Sequence, residues 1–317
     1  MMTYKNIVKQ IFDAYLCGKK HIKANDYIGN ENIWDYLNKH RLDMIFFDLI
    51  SNKTNIPSKF KNRCENTKRI CIEKDKIVCE LNQVPGIFLK GVPLSRLLYR
   101  NVYHRRYHDI DILIERKNIN NIESYLLKQG YQYGYEYKGK IYIPSRKELI
   151  FKQLYSHECY EMFKINRGGI VSYVDINFLF SWVDVNDLSY KNEKIVTEIF
   201  ENKELQKNTI TTLNWEYMFV HLCCHFYNEA HYIETDNEYH EERDYNIILI
   251  RLLDIALVLK QKLNLKKIKW IVEKLECESK VGYVLALLEI LLEYDYKWLF
   301  NYLKCEIKDE KIGRAHV

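Results

Sequence analysis

Apolar positions recur at helical spacing near the start of the chain and again over its last third, with strand-like alternation between. Ile7, Ile11 and Tyr15 share one helical face, and Trp34, Tyr36, Leu37 and Leu42 to Ile50 continue that pattern. Asn55-Ile56-Pro57-Ser58 breaks it, with Ser58 placed to cap a helix running to about Leu81. The charges along that helix read as a solvated face, so this region is expected to pack beside a sheet and to carry no chemistry.

The middle of the chain changes period. Gly86-Ile87-Phe88-Leu89 reads as a short buried strand, and Pro93 opens the helical run PLSRLLYRN. Asp109-Ile110-Asp111-Ile112-Leu113-Ile114 then alternates strictly. Side chains on a strand point to opposite faces in turn, so Asp109 and Asp111 share one face and Ile110, Ile112 and Ile114 the other. Ile119, Ile122, Tyr125 and Leu126 give a helical face that Gly130 stops in the left-handed region. Tyr131 to Tyr137 and Ile141 to Ile143 form a hairpin turning at Lys138-Gly139-Lys140, and Glu148 to Tyr155 reads as a short helix or strand. Met162 to Ile165 and Ile170 to Phe180 make a second hairpin through Asn166-Arg167-Gly168-Gly169. In its second strand Val174, Ile176 and Phe178 share one face, while Asp175 lies with Tyr173 and Asn177 on the other.

Beyond residue 185 the pattern is helical again. Asp187 or Ser189 could cap one helix, and Thr212 or Asn214 another with Trp215 to Tyr227 as its body. Helices over Tyr245 to Gln261, Ile268 to Cys277 and Val281 to Phe300 follow, after a polar acidic loop from Glu234 to Asp244. The expected architecture is α+β, with a mixed sheet flanked by N- and C-terminal helices. It divides into a helical region 1–84, a core 85–185 and a helical domain 186–311. Ile312 to Val317 read as a translated sequencing-adaptor tail and are set aside.

Composition narrows the function classes. A chain of 317 residues is long enough for two modest domains and a sizeable core. Charged residues make up 29% and the net charge is +5, too mild a bias to indicate nucleic acid without a clustered basic face. The 26 Tyr and 4 Pro are read as base-composition bias with helix-rich architecture. Nine Cys, an odd number with no C-x-x-C pair, argue against a disulfide framework. No stretch is long and apolar enough to span a membrane and no signal-peptide pattern opens the chain, so a cytoplasmic location is expected. Cys223-Cys224 beside His221 and His225 invite a zinc reading. Zinc sites use spaced Cys pairs, however, and Met218, Leu222 and Phe226 point to a buried helix instead.

Chemistry concentrates around the acidic strand. Asp is depleted in strands, and two carboxylates side by side repel unless a cation sits between them. Mg²⁺ takes oxygen ligands and commonly uses one or two carboxylates together with substrate phosphates. Upstream, Lys90-Gly91 lies at a strand end before a helix start, a geometry that turns backbone N–H groups toward an anion. Lys90, Ser95 and Arg96 could add side-chain contacts to phosphate, and Arg105 and Arg106 lie just before the acidic strand. His157 precedes the second hairpin and reads more simply as a packed or exposed residue than as an acceptor-binding one.

Lys90-Gly91, Tyr99, Arg105 and Asp109-Ile110-Asp111, taken together, resemble a group of bacterial nucleotidyltransferases in the polymerase-β-like superfamily. The resemblance continues in order through Val174-Asp175-Ile176-Asn177, where the family usually has His at the position of Asn177. It runs on through Leu213-Asn214-Trp215-Glu216, His221 to His225 and Leu252 to Ala256, covering roughly residues 80–260. It implies a polymerase-β-like core in which Asp109, Asp111 and Asp175 are catalytic and hold Mg²⁺, or Mn²⁺ in its place, as two ions about 3.5–4 Å apart. It also implies nucleotide contacts from Lys90, Gly91, Ser95 and Arg105. Gly91-Val92 departs from the usual Gly-Ser or Gly-Gly pair. The implied reaction moves a nucleoside monophosphate from an NTP, ATP first among them, to a hydroxyl-bearing acceptor and releases pyrophosphate. The alternative is a catalytically weak nucleotide-binding or toxin–antitoxin-type regulatory module on the same fold. A phosphohydrolase built on His221, His225 and Asp254 lacks metal-motif spacing. Those residues and Arg251 read as satisfied interior polar groups.

Overall fold

The computed structural model describes residues 2–23, 27–51, 53–81, 83–137, 139–156, 158–181, 190–202, 205–207, 210–231 and 248–305. His157, the Asp187 and Ser189 caps, the Glu234–Asp244 loop and the Ile312–Val317 tail lie outside these residues. In chain order the elements are helices α1 (Met2–Leu16), α2 (Glu31–Lys39), α3 (Asp43–Leu49) and α4 (Ser58–Glu80), then β1 (Ile87–Phe88), α5 (Gly91–Leu97) and β2 (Asp109–Leu113). Next come α6 (Ile119–Lys128), β3 (Gln132–Tyr133), β4 (Tyr135–Tyr137), β5 (Lys140–Tyr142), α7 (Arg146–Tyr155), β6 (Met162–Ile165) and β7 (Val171–Asn177). The chain continues through α8 (Tyr190–Glu201), β8 (Leu205–Lys207), β9 (Thr211–Leu213), α9 (Trp215–His231), α10 (Leu249–Leu259), α11 (Leu265–Leu275), α12 (Glu278–Leu292) and α13 (Lys297–Tyr302). This is the expected α+β architecture with a mixed sheet. It divides into two compact units, one of residues 1–69, 103–105 and 219–317, the other of residues 70–102 and 106–218.

The first unit is helical. Trp34 anchors it, stacked on Phe60 with ring centroids 5.8 Å apart and edge-on to Phe46 at 5.0 Å. Ile7, Ile11 and Phe12 of α1 and most of α10 are fully buried beside it. Two polar clusters are satisfied within this apolar setting. Tyr15 Oη bonds His104 Nδ1, while Asp48 Oδ2 bonds His104 Nε2 at 2.9 Å and accepts from Tyr103 Oη at 2.7 Å. Burial alone would raise the Asp48 carboxyl, but the bonds from His104 and Tyr103 outweigh it and hold it at about 2. Arg105 Nε donates to both carboxylate oxygens of Asp254, at 2.9 and 2.8 Å. The single final helix expected over Val281 to Phe300 is instead two, because Glu293 turns left-handed (φ 60°) and ends α12.

The second unit is built on a seven-stranded sheet of order β3-β6-β7-β2-β1-β9-β8. β2 lies at its centre, parallel to β7 and antiparallel to β1. The alternation of β2 and β7 drives this arrangement: Ile110, Ile112, Val174 and Ile176 all point to one buried layer. Ile119, Ile122 and Leu126 of α6 and Val78 of α4 close that layer. Burying each such side chain stabilises the fold by about 1.5–3 kcal/mol. Gly130 follows α6 at φ +85°, the left-handed stop expected of it.

Two strands come from a stretch expected to be helical. β9 runs parallel to β1, and Thr212 Oγ1 donates to Phe88 O at 2.7 Å. Thr212 is therefore a strand residue, and Asn214 is the cap of α9, its Oδ1 accepting from Tyr217 N at 3.2 Å. β4 and β5 pair antiparallel as a separate two-stranded sheet. The stretch that could have been helix or strand is helix α7, opened by a capping box between Ser145 and Glu148.

Candidate active site

The opposite face of β2 and β7 carries the acidic groups. Parallel pairing sets Asp111 directly beside Asp175, and Asp109 beside Tyr173. Asp109, Asp111 and Asp175 each bring a carboxylate oxygen within 4.8 Å of the others. Asp111 is the most enclosed of the three at 4% exposed, while Asp109 and Asp175 are half-buried.

The corner between β1 and α5 delivers the counter-charge. Leu89 N donates to Asp111 O at 2.9 Å, fixing the end of β1 on β2. Lys90 then takes φ +49° and ψ −115°, a conformation that costs a non-glycine residue about 1–3 kcal/mol. Gly91 follows because nothing larger fits: a Cβ there would lie 2.5 Å from Tyr107 Cβ. The turn carries Lys90 Nζ to 2.7 Å from Asp111 Oδ1. Burial alone would push the Lys90 ammonium down. Asp111, Asp109 and Asp175 outweigh burial and raise it.

The carboxylates shift the other way. Burial first, opposed by Lys90 and reinforced by Asp109, pushes Asp111 up to about 6. Burial, then Asp109, Asp111, Glu158 and Glu161, raises Asp175 well above the usual carboxylate range. Against these acids α7 also brings Lys152, whose Nζ lies 2.8 Å from Glu158 Oε1. Negative charge remains in excess. An all-oxygen donor set of clustered, partly buried carboxylates is what a hard divalent cation requires, so the residues present fit such an ion.

Asn177 completes the wall, its Nδ2 making a long contact to Asp111 Oδ1 at 3.5 Å and donating to Asp175 O at 3.3 Å. Asn177 has the same parity as Asp175, which was visible in the sequence. The Glu158–Lys152 pair was not, because Glu158 lies outside the strands and meets the sheet through an isolated bridge to Asn177. His108 stacks on Tyr173 with centroids 4.9 Å apart.

Other residues expected to contact nucleotide are engaged elsewhere. Ser95 is buried and its hydroxyl donates to Val92 O at 2.8 Å within α5. Arg96 pairs with Asp75 at 2.6 Å. Arg105 is committed to Asp254 in the helical unit. Lys90 sits on a carboxylate, where the sequence placed it toward phosphate. In the helical unit His225 Nδ1 pairs with Glu229 Oε2 at 3.2 Å and Arg251 joins the same carboxylate, while Cys223 and Cys224 are buried in α9.

Residues 29–293 match a family model described as an uncharacterised nucleotidyltransferase. Neither a curated protein nor a solved structure matches the chain.

Proposed function

The chain belongs to this nucleotidyltransferase family of the polymerase-β-like superfamily, and from that premise we propose that it transfers a nucleoside monophosphate from an NTP to a hydroxyl-bearing acceptor. The observation that carries the reading is the meeting of Asp109, Asp111 and Asp175 across one parallel strand pair. Those three residues would hold Mg²⁺ or Mn²⁺. A divalent cation there would stabilise charge developing on the triphosphate oxygens. In this reading the backbone N–H groups of Gly91 and Val92 would meet the triphosphate, and Lys90 balances the carboxylates beside it. The acceptor oxygen bonds to the α-phosphorus, the bond from that phosphorus to the pyrophosphate oxygen breaks, and the acceptor proton passes to Asp175. Asp175 shares a rung with Asp111 and lies within the same carboxylate cluster, which places it to take that proton. ATP is the first candidate donor. No described helix is long and apolar enough to cross a membrane, and a cytoplasmic site of action fits that.

The test is transfer of label from α-labelled NTPs into acceptors of a cell extract, read together with pyrophosphate release. Asp111→Asn and Asp175→Asn are each expected to lower transfer at least about a hundredfold while the protein stays folded. Transfer unchanged in Asp111→Asn, or NTP binding with no pyrophosphate released against any acceptor, overturns the reading.

A further inference from the structure

Exposed apolar side chains lie on α7 and just past β5, two elements of the sheet unit joined by Ile143 to Ser145. Helix α7 buries none of its residues, yet Phe151 is 63% and Leu154 58% exposed. Ile143, just past β5, is 70% exposed, and Ile141 within β5 is 48% exposed. Exposed apolar side chains on two adjoining elements mark an interaction site.

Three features say what kind of partner fits. First, among the described residues β5 pairs with β4 alone and its residues are all exposed. A strand with an open side presents backbone N–H and C=O groups that another polypeptide backbone completes, which neither a lipid nor a nucleic acid can do. Second, Lys140 of β5 and Arg146 and Lys147 in the first turn of α7 stand exposed with no ion pair among the described residues, so they complement acidic side chains. Third, the surface leads to the reacting groups. Lys152 of α7 reaches Glu158, which acts on Asp175, and Tyr173 Oη donates to Glu136 O in β4, opposite Ile141.

We infer that β5 and the exposed face of α7 form the acceptor-docking surface, and that the acceptor is a polypeptide. It would be an extended segment alternating apolar and acidic residues, added as a strand along β5, with its apolar side chains on Phe151 and Leu154. This rests on the nucleotidyltransferase reading. A Ser, Thr or Tyr hydroxyl of the docked segment forms the new oxygen–phosphorus bond to the NTP, pyrophosphate leaves with the electrons of the broken bond, and the hydroxyl proton goes to Asp175.

The experiment uses the full chain and a pool of synthetic peptides that alternate apolar and acidic residues around one Ser, Thr or Tyr. Binding is read by fluorescence anisotropy and by amide-exchange protection in β5. The double variant Ile143→Glu, Phe151→Glu changes only exposed positions, so its melting temperature and its binding of Mg²⁺–NTP are expected to be unchanged. Peptide binding by the wild type, lowered about tenfold or more in that variant, supports the inference. It is overturned if no peptide binds while Mg²⁺–NTP does, or if the variant binds equally well. It is also overturned if phosphatidylglycerol vesicles or an oligonucleotide occupy the same residues, or if those residues hold two copies of the chain together. Loss of Mg²⁺–NTP binding in the wild type sinks the earlier reading instead, so the two failures are distinct.

Discussion

Lys90 concentrates the physics of the site in one side chain. Its backbone is held where a non-glycine residue is strained, and its ammonium is held where the acidic cluster needs a counter-charge. Replacing it by Met leaves Asp109, Asp111 and Asp175 facing one another without that cation. Removing one partner of a buried pair costs about 3–5 kcal/mol. Lys90→Met is expected to lose stability of that order in chelator at neutral pH, and to regain much of it when Mg²⁺ or Mn²⁺ is added. A melting temperature that no divalent cation moves would count against the metal.

The same carboxylates set a pH dependence. The folded Asp111 carboxyl sits at about 6 against 3.8 in the unfolded chain, so folding favours its protonated form. The stability it contributes is complete below pH 3.8 and is lost as pH rises through about 6; Asp175 acts with the same sign. Cations bind the deprotonated groups and must displace those protons. Thermal scans with and without Mg²⁺ are therefore expected to show a larger rise in melting temperature at about pH 7 than at about pH 5. Equal rises would mean that the ion binds elsewhere.

At the scale of elements, the β1–α5 corner depends on having no side chain at position 91. Gly91→Ala forces its Cβ against Tyr107 and is expected to cost about 1–3 kcal/mol, read by chemical denaturation, with weaker Mg²⁺–NTP binding. Elements with a strong period were legible in the sequence. The alternation of Asp109 to Ile114 gave β2 and its wet face, and Val174 to Phe178 gave β7. β8 and β9 were not legible, because each has three residues and neither alternates; β9 is held as a strand by its parallel partner Phe88 and the Thr212 bond. The break between α12 and α13 was equally hidden, since Glu293 is not a residue whose type announces a left-handed turn.

For the whole molecule, chain order and folded grouping part company. Residues 103–105 fold with the helical unit, while their neighbours on both sides fold with the sheet unit. Arg105 shows why a motif did not disclose its partner: it stands close in sequence to the acidic strand, yet its guanidinium bonds Asp254 in α10, 149 residues away. Arg105→Met is expected to cost about 3–5 kcal/mol, because it strands a buried carboxylate. Adding Asp254→Leu is expected to recover most of that loss in denaturant unfolding, giving strong non-additivity. Additive losses would show that the pair is not the energetic unit the geometry implies.

The shared rung of Asp111 and Asp175 governs which changes of length the protein can absorb. Strand parity makes that tolerance a matter of odd and even. One residue inserted between Val171 and Asp175 turns the carboxylate into the Val174–Ile176 layer and brings an apolar side chain out in its place. The same residue added at Gly139, between β4 and β5, disturbs no rung of β2 or β7. Related chains that vary in length should therefore do so in the connections around the hairpins, while the stretches through Asp109 to Leu113 and Val171 to Asn177 keep their count.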